Sequence, residues 1–361
     1  MFARRKVAPP EERKGTPPIR VLLVDDSNVV RSIFARVLAD CGQVEIVGEA
    51  ASSAEALQHL KRQRADIILL DIEMPERTGL DALPEILDAA AGARVLVVSA
   101  FVEENGPAAI RALSLGACDT LSKPGRFGFS GKFSETLIEK VVRLGRSAKA
   151  PSPRPGEQSS FPASRMGQGE AKPHCVAIGA STGGIPVIYE IVRSLPQTLD
   201  CPVFITQHLP DAFMEFFARQ LQSQTQKRVC VAVAGDVVAD NTIYISPGDA
   251  HLVCQRDGSR VVIGHLRHYA GSRYSPSVDA LLESVAEIYG QNALAIILSG
   301  MGNDGAQGAT RLAAKQARIF VQDEESSVVW GMPGAIARAG LATAIMPPAH
   351  LTRYLHSCVR D

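Results

Sequence analysis

The chain has no surplus of charge of either sign: 38 lysines and arginines balance 38 aspartates and glutamates. Without a basic excess there is no electrostatic footprint for nucleic acid or for an anionic membrane, and a DNA-binding output module is disfavoured. The first residues, Met1 to Gly15, are charged and proline-containing, so they lack the apolar core of a signal peptide. No run elsewhere reaches membrane-spanning length. A cytoplasmic protein that is not membrane-inserted is expected. Seven cysteines (Cys41, Cys118, Cys175, Cys201, Cys230, Cys254 and Cys358) include no C-x-x-C pair, and an odd number does not close a disulfide framework. They read as small buried apolar residues; Cys175, although near Ser181, lies among buried positions and makes a poor nucleophile. His265 and His268 have no third ligand at a recognisable spacing, which disfavours zinc.

What is present is room for more than one core: 361 residues, 46% apolar and only 21% charged. Between Leu144 and Pro173 the composition shifts to Ser, Pro, Gly, Gln and Ala, which cannot bury enough apolar surface to offset ordering entropy. The expected organisation is a disordered leader (1–18), a first domain (19–145), a flexible linker (146–172) and a second domain (173–361). In the first domain, apolar runs alternate with helical patterns: Val21–Val24, Val44–Val47, Ile67–Leu70, Val95–Val98 and Ala117–Leu121. Parallel neighbours need crossover helices, so five such units imply an α/β domain of flavodoxin-like arrangement.

The reactive side chains of that domain fall at strand ends. Asp25 and Asp26 follow the first run, Asp71 the third, Ser99 the fourth and Lys123 the fifth. Three convergent carboxylates need a cation, and a hard divalent ion such as Mg2+ fits them. Asp71 could then attack a phosphoryl group while Lys123 and Ser99 engage its oxygens. The plainer alternative is helix capping by Asp26 or Ser27, which does not account for all five positions.

In the second domain Val176-Ala177-Ile178 launches Gly179-Ala180-Ser181-Thr182-Gly183-Gly184, a glycine-flanked serine where a strand passes into a helix. Such a turn matters for catalysis only if a base and an orienting acid converge on it. His208 closes the apolar run Val203–His208, and Asp304 lies beyond Leu294–Leu298, so all three fall at the carboxyl ends of buried strands, where open α/β sheets place ligands. The order serine, histidine, aspartate differs from that of α/β-hydrolases. A lone glycine-rich turn would more often bind phosphate, and a lone histidine is more often a core residue; their coincidence lowers both readings.

Two rivals remain open. Gly300-Met301-Gly302-Asn303-Asp304-Gly305 with Asp323 about twenty residues on matches the spacing of a dinucleotide fingerprint, which would make the chain a nicotinamide-dependent oxidoreductase. That fingerprint usually belongs to a first βαβ unit, whereas here it comes late. The other rival is a non-catalytic response-regulator scaffold. Asp249 and His251 could supply a second acid and histidine, but Pro247-Gly248 reads instead as a turn joining Thr242–Ile245 to Leu252–Gln255 in a hairpin at the site rim. Ile185, Ile188, Ile191 and Leu195, and then Phe213, Phe216, Phe217 and Leu221, recur at helical spacing and read as core.

Val24-Asp25-Asp26-Ser27, Leu70-Asp71-Ile72-Glu73-Met74-Pro75, Ser99-Ala100 and Ser122-Lys123-Pro124 resemble response-regulator receiver domains. Ile178–Gly184, Thr206-Gln207-His208, Tyr244–Asp249, Ser275-Pro276-Ser277-Val278-Asp279 and Gly300–Gly305 resemble the catalytic domain of the chemotaxis protein-glutamate methylesterase family, CheB. The resemblance implies a second doubly wound, mostly parallel, Rossmann-like domain that hydrolyses glutamate methyl esters on chemoreceptor helices, with methanol as product and deamidation of receptor glutamines in some members. It implies Ser181 as nucleophile, His208 as base, Asp304 as orienting acid, and Thr182 with Met301 as the oxyanion neighbourhood. It implies Asp71 as phosphoacceptor from a histidine kinase, Ser99 and Lys123 as switch residues, and Mg2+ held by Asp25, Asp26, Asp71 and the Glu73 carbonyl, with no cofactor in the esterase domain. The partners implied are methyl-accepting chemoreceptors, with no nucleic acid. The chain departs from the receiver pattern at Thr120, where an aromatic residue is common, and at Pro75-Glu76-Arg77-Thr78-Gly79, which lacks the Met-Asp pair common before that glycine.

Overall fold

A computed structural model describes residues 17–99, 102–123, 131–148, 172–270 and 272–358; nearly all of the expected leader, most of the linker, Ala100 and Pro124 lie outside them. Apolar runs without polar alternation form strands covered on both faces. Thus β3 (Ile67–Asp71) is buried at every position, and it sits at the centre of a parallel sheet with β1 (Ile19–Val24), β2 (Val44–Ala50), β4 (Arg94–Ser99) and β5 (Asp119–Ser122). The order β2-β1-β3-β4-β5 is the flavodoxin-like one.

The crossover helices are α1 (Asn28–Ala39), α2 (Ser53–Leu60), α3 (Gly79–Ala89) and α4 (Val102–Ser114), with α5 (Gly131–Ala148) closing the domain. Hydroxyls cap three of them: Ser27, Ser52 and Thr78 accept from Val30, Glu55 and Asp81 N–H. Because Ser27 caps α1, Asp26 is released from that duty. Helix α5 continues three residues past the boundary expected at 145.

The second domain is built on seven parallel strands in the order β14-β13-β12-β6-β7-β9-β8. In chain order they are β6 (Cys175–Ala180), β7 (Val203–Gln207), β8 (Arg228–Val231), β9 (Thr242–Ile245), β12 (Ala293–Ile297), β13 (Arg318–Gln322) and β14 (Ala344–Met346), with β10 (His251–Asp257) and β11 (Arg260–Leu266) as a separate antiparallel pair. The helices are α6 (Ile185–Ser194), α7 (Asp211–Gln222), α8 (Val278–Tyr289), α9 (Ala306–Ala314), α10 (Met332–Arg338) and α11 (Pro348–Cys358). From β6 the chain winds to one side through β7, then returns to the other through β12, so the topological switch lies between β6 and β12. Ligand crevices form there.

The hairpin expected across Pro247-Gly248 does not form. Strand β9 is buried on both faces and pairs in parallel with β7 and β8, whereas β10 pairs with β11 through a turn at Gly258, whose φ is +57°. Short apolar strands carry no mark of their partner, and burial on both faces drew β9 into the large sheet.

The two domains share a continuous apolar cluster that includes Ala109, Ile110 and Leu113 of α4 and Ile188 and Phe213 of the second domain. Helix α4 lies against α7. Gly106 permits that approach, since a Cβ there would fall 2.5 Å from the Phe216 ring, and Gln220 Nε2 donates to the Pro107 carbonyl at 3.3 Å. The helical stripes are otherwise core, with Ile188, Ile191, Phe217 and Leu221 fully buried. Phe216 is the exception, half-buried at the domain contact. Cys118, Cys175, Cys201 and Cys254 are buried as expected; Cys41 and Cys230 are half-buried. Burial holds the Cys175 thiol well above its ordinary range and so inert.

Candidate phosphoryl site and active site

At the carboxyl end of the first sheet Lys123 Nζ lies 2.7 Å from both Asp25 Oδ2 and Asp71 Oδ2. Asp25 Oδ1 accepts from Ser27 N–H at 2.9 Å and Asp71 Oδ1 from Glu73 N–H at 3.2 Å. Arg31 Nη1 donates to the Asp25 carbonyl at 2.6 Å and fixes its backbone. Ligand oxygens of Asp25, Asp26 and Asp71 lie within 4.8 Å of one another. Buried Asp25 Oδ2, although close to Lys123, has no directed hydrogen bond. Three clustered carboxylates faced by one ammonium suit a hard divalent cation. Burial pushes the Asp71 carboxyl up to about 6, with Lys123 pulling against it and Asp25 adding to it. At Lys123 burial opposes the charge, but Asp25 and Asp71 outweigh it and raise the pKa. Buried Ser99 is tied to the same corner, since its carbonyl accepts from Lys123 N–H at 2.7 Å.

Ser181 follows β6 directly. Its N–H donates to the Ser299 carbonyl at 3.1 Å and its carbonyl accepts from Gly184 N–H at 3.0 Å, closing a tight elbow. Gly183 carries it at φ +79°, where any Cβ would overlap Val328. Gln207 Nε2, at the end of β7, donates to the same Ser181 carbonyl at 3.0 Å and so joins the elbow to the strand that delivers His208. His208 presents Nε2 to Asp304 Oδ2 at 2.7 Å, leaving Nδ1 as its other ring nitrogen. Asp304 is almost wholly buried and accepts from Ser277 Oγ at 2.9 Å, Val278 N–H at 2.7 Å, Asp279 N–H at 3.0 Å and Gly305 N–H at 3.1 Å. Burial alone would raise its pKa, but His208 and the N–H groups opening α8 more than reverse this and hold the carboxyl below its ordinary value.

Ser181, Thr182, His208 and Met301 line one cavity of about 460 Å³, together with Arg273 and Tyr274. Among the described residues the backbone N–H groups of Thr182 and Met301 donate to nothing. The first domain supplies another part of the wall, including Cys118, Asp119 and Lys140. Thr182 Oγ1 donates to Asp119 Oδ2 at 2.7 Å, Lys140 Nζ holds that same oxygen at 2.6 Å, and Gly183 N–H donates to the Cys118 carbonyl at 2.9 Å. The start of β5 therefore sits on the serine elbow, while its far end leads into Lys123.

The Gly300–Gly305 loop, which shares the dinucleotide spacing, serves a different purpose. Gly302 and Gly305 adopt φ +85° and +93°, and the turn they make delivers Asp304 to His208. Asp323 accepts from Ser326 N–H at 3.3 Å. His251, read as part of a rim turn, is buried and accepts from Ser277 N–H at Nδ1 (3.0 Å), so it supports the residue that supports Asp304. Burial lowers its pKa, which suits that acceptor role. His265 Nε2 bonds the Ala232 carbonyl at 2.9 Å. The sequence reading named Ser277, His251 and Gln207 only within motifs and a rim turn, without these supporting roles, and did not point to Tyr274 or Asp119 at all. Only Ser277 had a signal: a serine opening an apolar helical run marks an N-terminus whose free N–H groups attract a carboxylate.

Fold and site together define the class: a response-regulator receiver joined to a mostly parallel α/β domain that gathers a serine, a histidine and a buried aspartate at its switch point. The CheB methylesterase model matches residues 176–355 and the response regulator receiver domain model residues 21–128. A Caulobacter vibrioides protein-glutamate methylesterase/protein-glutamine glutaminase is 37% identical over 95% of this chain and 99% of its own, and an Azospirillum brasilense protein of the same name is 34% identical over 96% and 94%. The crystal structure of the Thermotoga maritima CheB methylesterase catalytic domain matches with a TM-score of 0.50 at 32% identity, over 53% of this chain and all of that one. The chain belongs to the CheB methylesterase family, with its receiver domain on the N-terminal side of the hydrolase domain.

Proposed function

We propose that the chain is a phosphorylation-controlled serine esterase that hydrolyses glutamate methyl esters on chemoreceptor helices. The observation that carries this reading is that His208, bonded to buried Asp304 at 2.7 Å, lines one cavity with Ser181 at the sheet's switch point. Asp304 fixes the imidazole so that Nδ1 takes the Ser181 Oγ proton as Oγ bonds to the ester carbonyl carbon. The negative charge that develops on the carbonyl oxygen meets the free N–H groups of Thr182 and Met301. Collapse breaks the bond to the methoxy oxygen, which receives the proton from His208 and leaves as methanol. Water then repeats the sequence on the acyl-serine, releasing the glutamate and restoring Ser181. A glutamine carboxamide could follow the same path with ammonia as leaving group, as the relatives' names include glutaminase activity.

In the receiver, Asp71 is the proposed phosphoacceptor from a histidine kinase. Asp25, Asp26 and Asp71, with the Glu73 carbonyl, would hold Mg2+, which when bound supplies positive charge for the phosphoryl oxygens. Lys123 and Ser99 would engage the phosphorylated side chain. The unphosphorylated receiver acts as a cover: Asp119 and the Cys118 carbonyl occupy Thr182 Oγ1 and Gly183 N–H, and α4 rests on α7. With Thr120 in place of an aromatic switch, the route between the two sites is β5 itself, Lys123 at one end and Asp119 at the other. A cytoplasmic location goes with a substrate on the receptors' cytoplasmic helices; no helix among the described residues is long and apolar enough to cross a membrane. Methanol release from methylated receptor membranes, with and without a phosphodonor, tests the reading.

A further inference from the structure

Asp304 engages His208 at one nitrogen only. A single hydrogen bond at Nε2 leaves the imidazole free to turn about that contact, and a turned ring points the Nδ1 lone pair away from Ser181. A second contact removes this freedom. The Tyr274 ring lies over His208 with centroids 4.8 Å apart and planes 9° from parallel.

Tyr274 is itself anchored at two further points. Ser272 Oγ accepts from Tyr274 N–H at 3.1 Å and donates to the Tyr274 carbonyl at 3.0 Å, clamping the backbone. Its hydroxyl rests against Gly302, where any Cβ would overlap it, so it also touches the loop that carries Met301. The tyrosine therefore spans the base and the oxyanion loop from the cavity wall.

We propose that Tyr274 is a positioning residue for the esterase: its ring face fixes the plane of the His208 imidazole and aims Nδ1 at Ser181. This rests on His208 acting as the base for Ser181. An aromatic face also tolerates the imidazolium formed when the serine proton arrives, which an aliphatic side chain of similar bulk does not. The face, not the hydroxyl, is the operative part.

The test uses the full-length protein with Mg2+ and a small-molecule phosphodonor, measuring methanol release from methylated receptor membranes for Tyr274→Phe, Tyr274→Leu and Ser181→Ala. Tyr274→Phe should keep nearly the full rate. Tyr274→Leu should lose roughly tenfold or more in kcat, with KM changed less than about twofold, as expected for misaligned reacting groups. The rate at which a fluorophosphonate probe labels Ser181 should fall in parallel, and thermal unfolding of the two tyrosine variants shows whether the fold is kept. A Leu variant as fast as the parent, or a Phe variant as slow as Leu, overturns the proposal. Methanol release by Ser181→Ala would instead overturn the underlying site assignment, so the two failures are distinguishable.

Discussion

Replacing Asp119 by alanine should switch the esterase on without phosphorylation. The Asp119 carboxylate accepts from Thr182 Oγ1 at 2.7 Å and is held for that purpose by Lys140 at 2.6 Å. Hydrogen bonds to a charged partner contribute about 1.5–3 kcal/mol net, so its loss weakens the closed arrangement roughly tenfold to a hundredfold. If about 1% of unphosphorylated molecules are open, a loss of about 2 kcal/mol raises that share to about a quarter. Asp119→Asn keeps an acceptor for Thr182 but loses the ion pair, and should fall between the two. The assay is basal methanol release by full-length protein without phosphodonor, set against the maximal rate with phosphodonor and Mg2+. The basal rate should rise in the order parent, Asn, Ala while the maximal rate stays the same. An Ala variant with the parent's basal rate would refute the argument that this contact keeps the cover closed.

Gly302→Ala should nearly abolish turnover, because the new Cβ overlaps the Tyr274 hydroxyl and φ +85° is strained for any side chain with a Cβ; methanol release checks it. Asp71→Asn should take up no phosphoryl group and lose its response to phosphodonor, and chelation of Mg2+ should do the same to the parent; radiolabelling from a small phosphodonor reads both. Asp279 gives a pH prediction: burial, with Asp304 adjacent, pushes its carboxyl up to about 6 despite a hydrogen bond from Gly308 N–H. A raised carboxyl pKa means the folded state holds the proton longer, so this group costs stability as pH rises from about 4 to about 6. Asp279→Asn should therefore be more stable than the parent above pH 6, by roughly 1 kcal/mol after allowing for solvent screening, and equal to it below pH 4; urea unfolding across that range measures the difference.

Much of the candidate site was legible because its residues fall at or shortly beyond the ends of apolar runs, and in a parallel sheet those ends meet on one edge. That logic brought Ser181, His208 and Asp304 together, and likewise Asp25, Asp71 and Lys123. It failed where contact depends on which strands pair or which domains dock. Thr242–Ile245 looks the same in a hairpin as in a parallel sheet, so β9 was misassigned and His251 with it. Nothing in the sequence links Asp119 to Thr182, since their contact exists only once α4 and β5 meet the second domain. Tyr274 lies in an irregular segment with no periodicity to reveal that it covers His208.

Methanol release from methylated receptor membranes by the full-length parent, Ser181→Ala and Asp71→Asn, each with and without phosphodonor and Mg2+, tests the central claim most directly. The parent should be slow alone and accelerated by phosphodonor, Asp71→Asn should remain at the slow rate, and Ser181→Ala should release essentially none under either condition. A Ser181→Ala protein that still liberates methanol at the parent's rate would contradict the account.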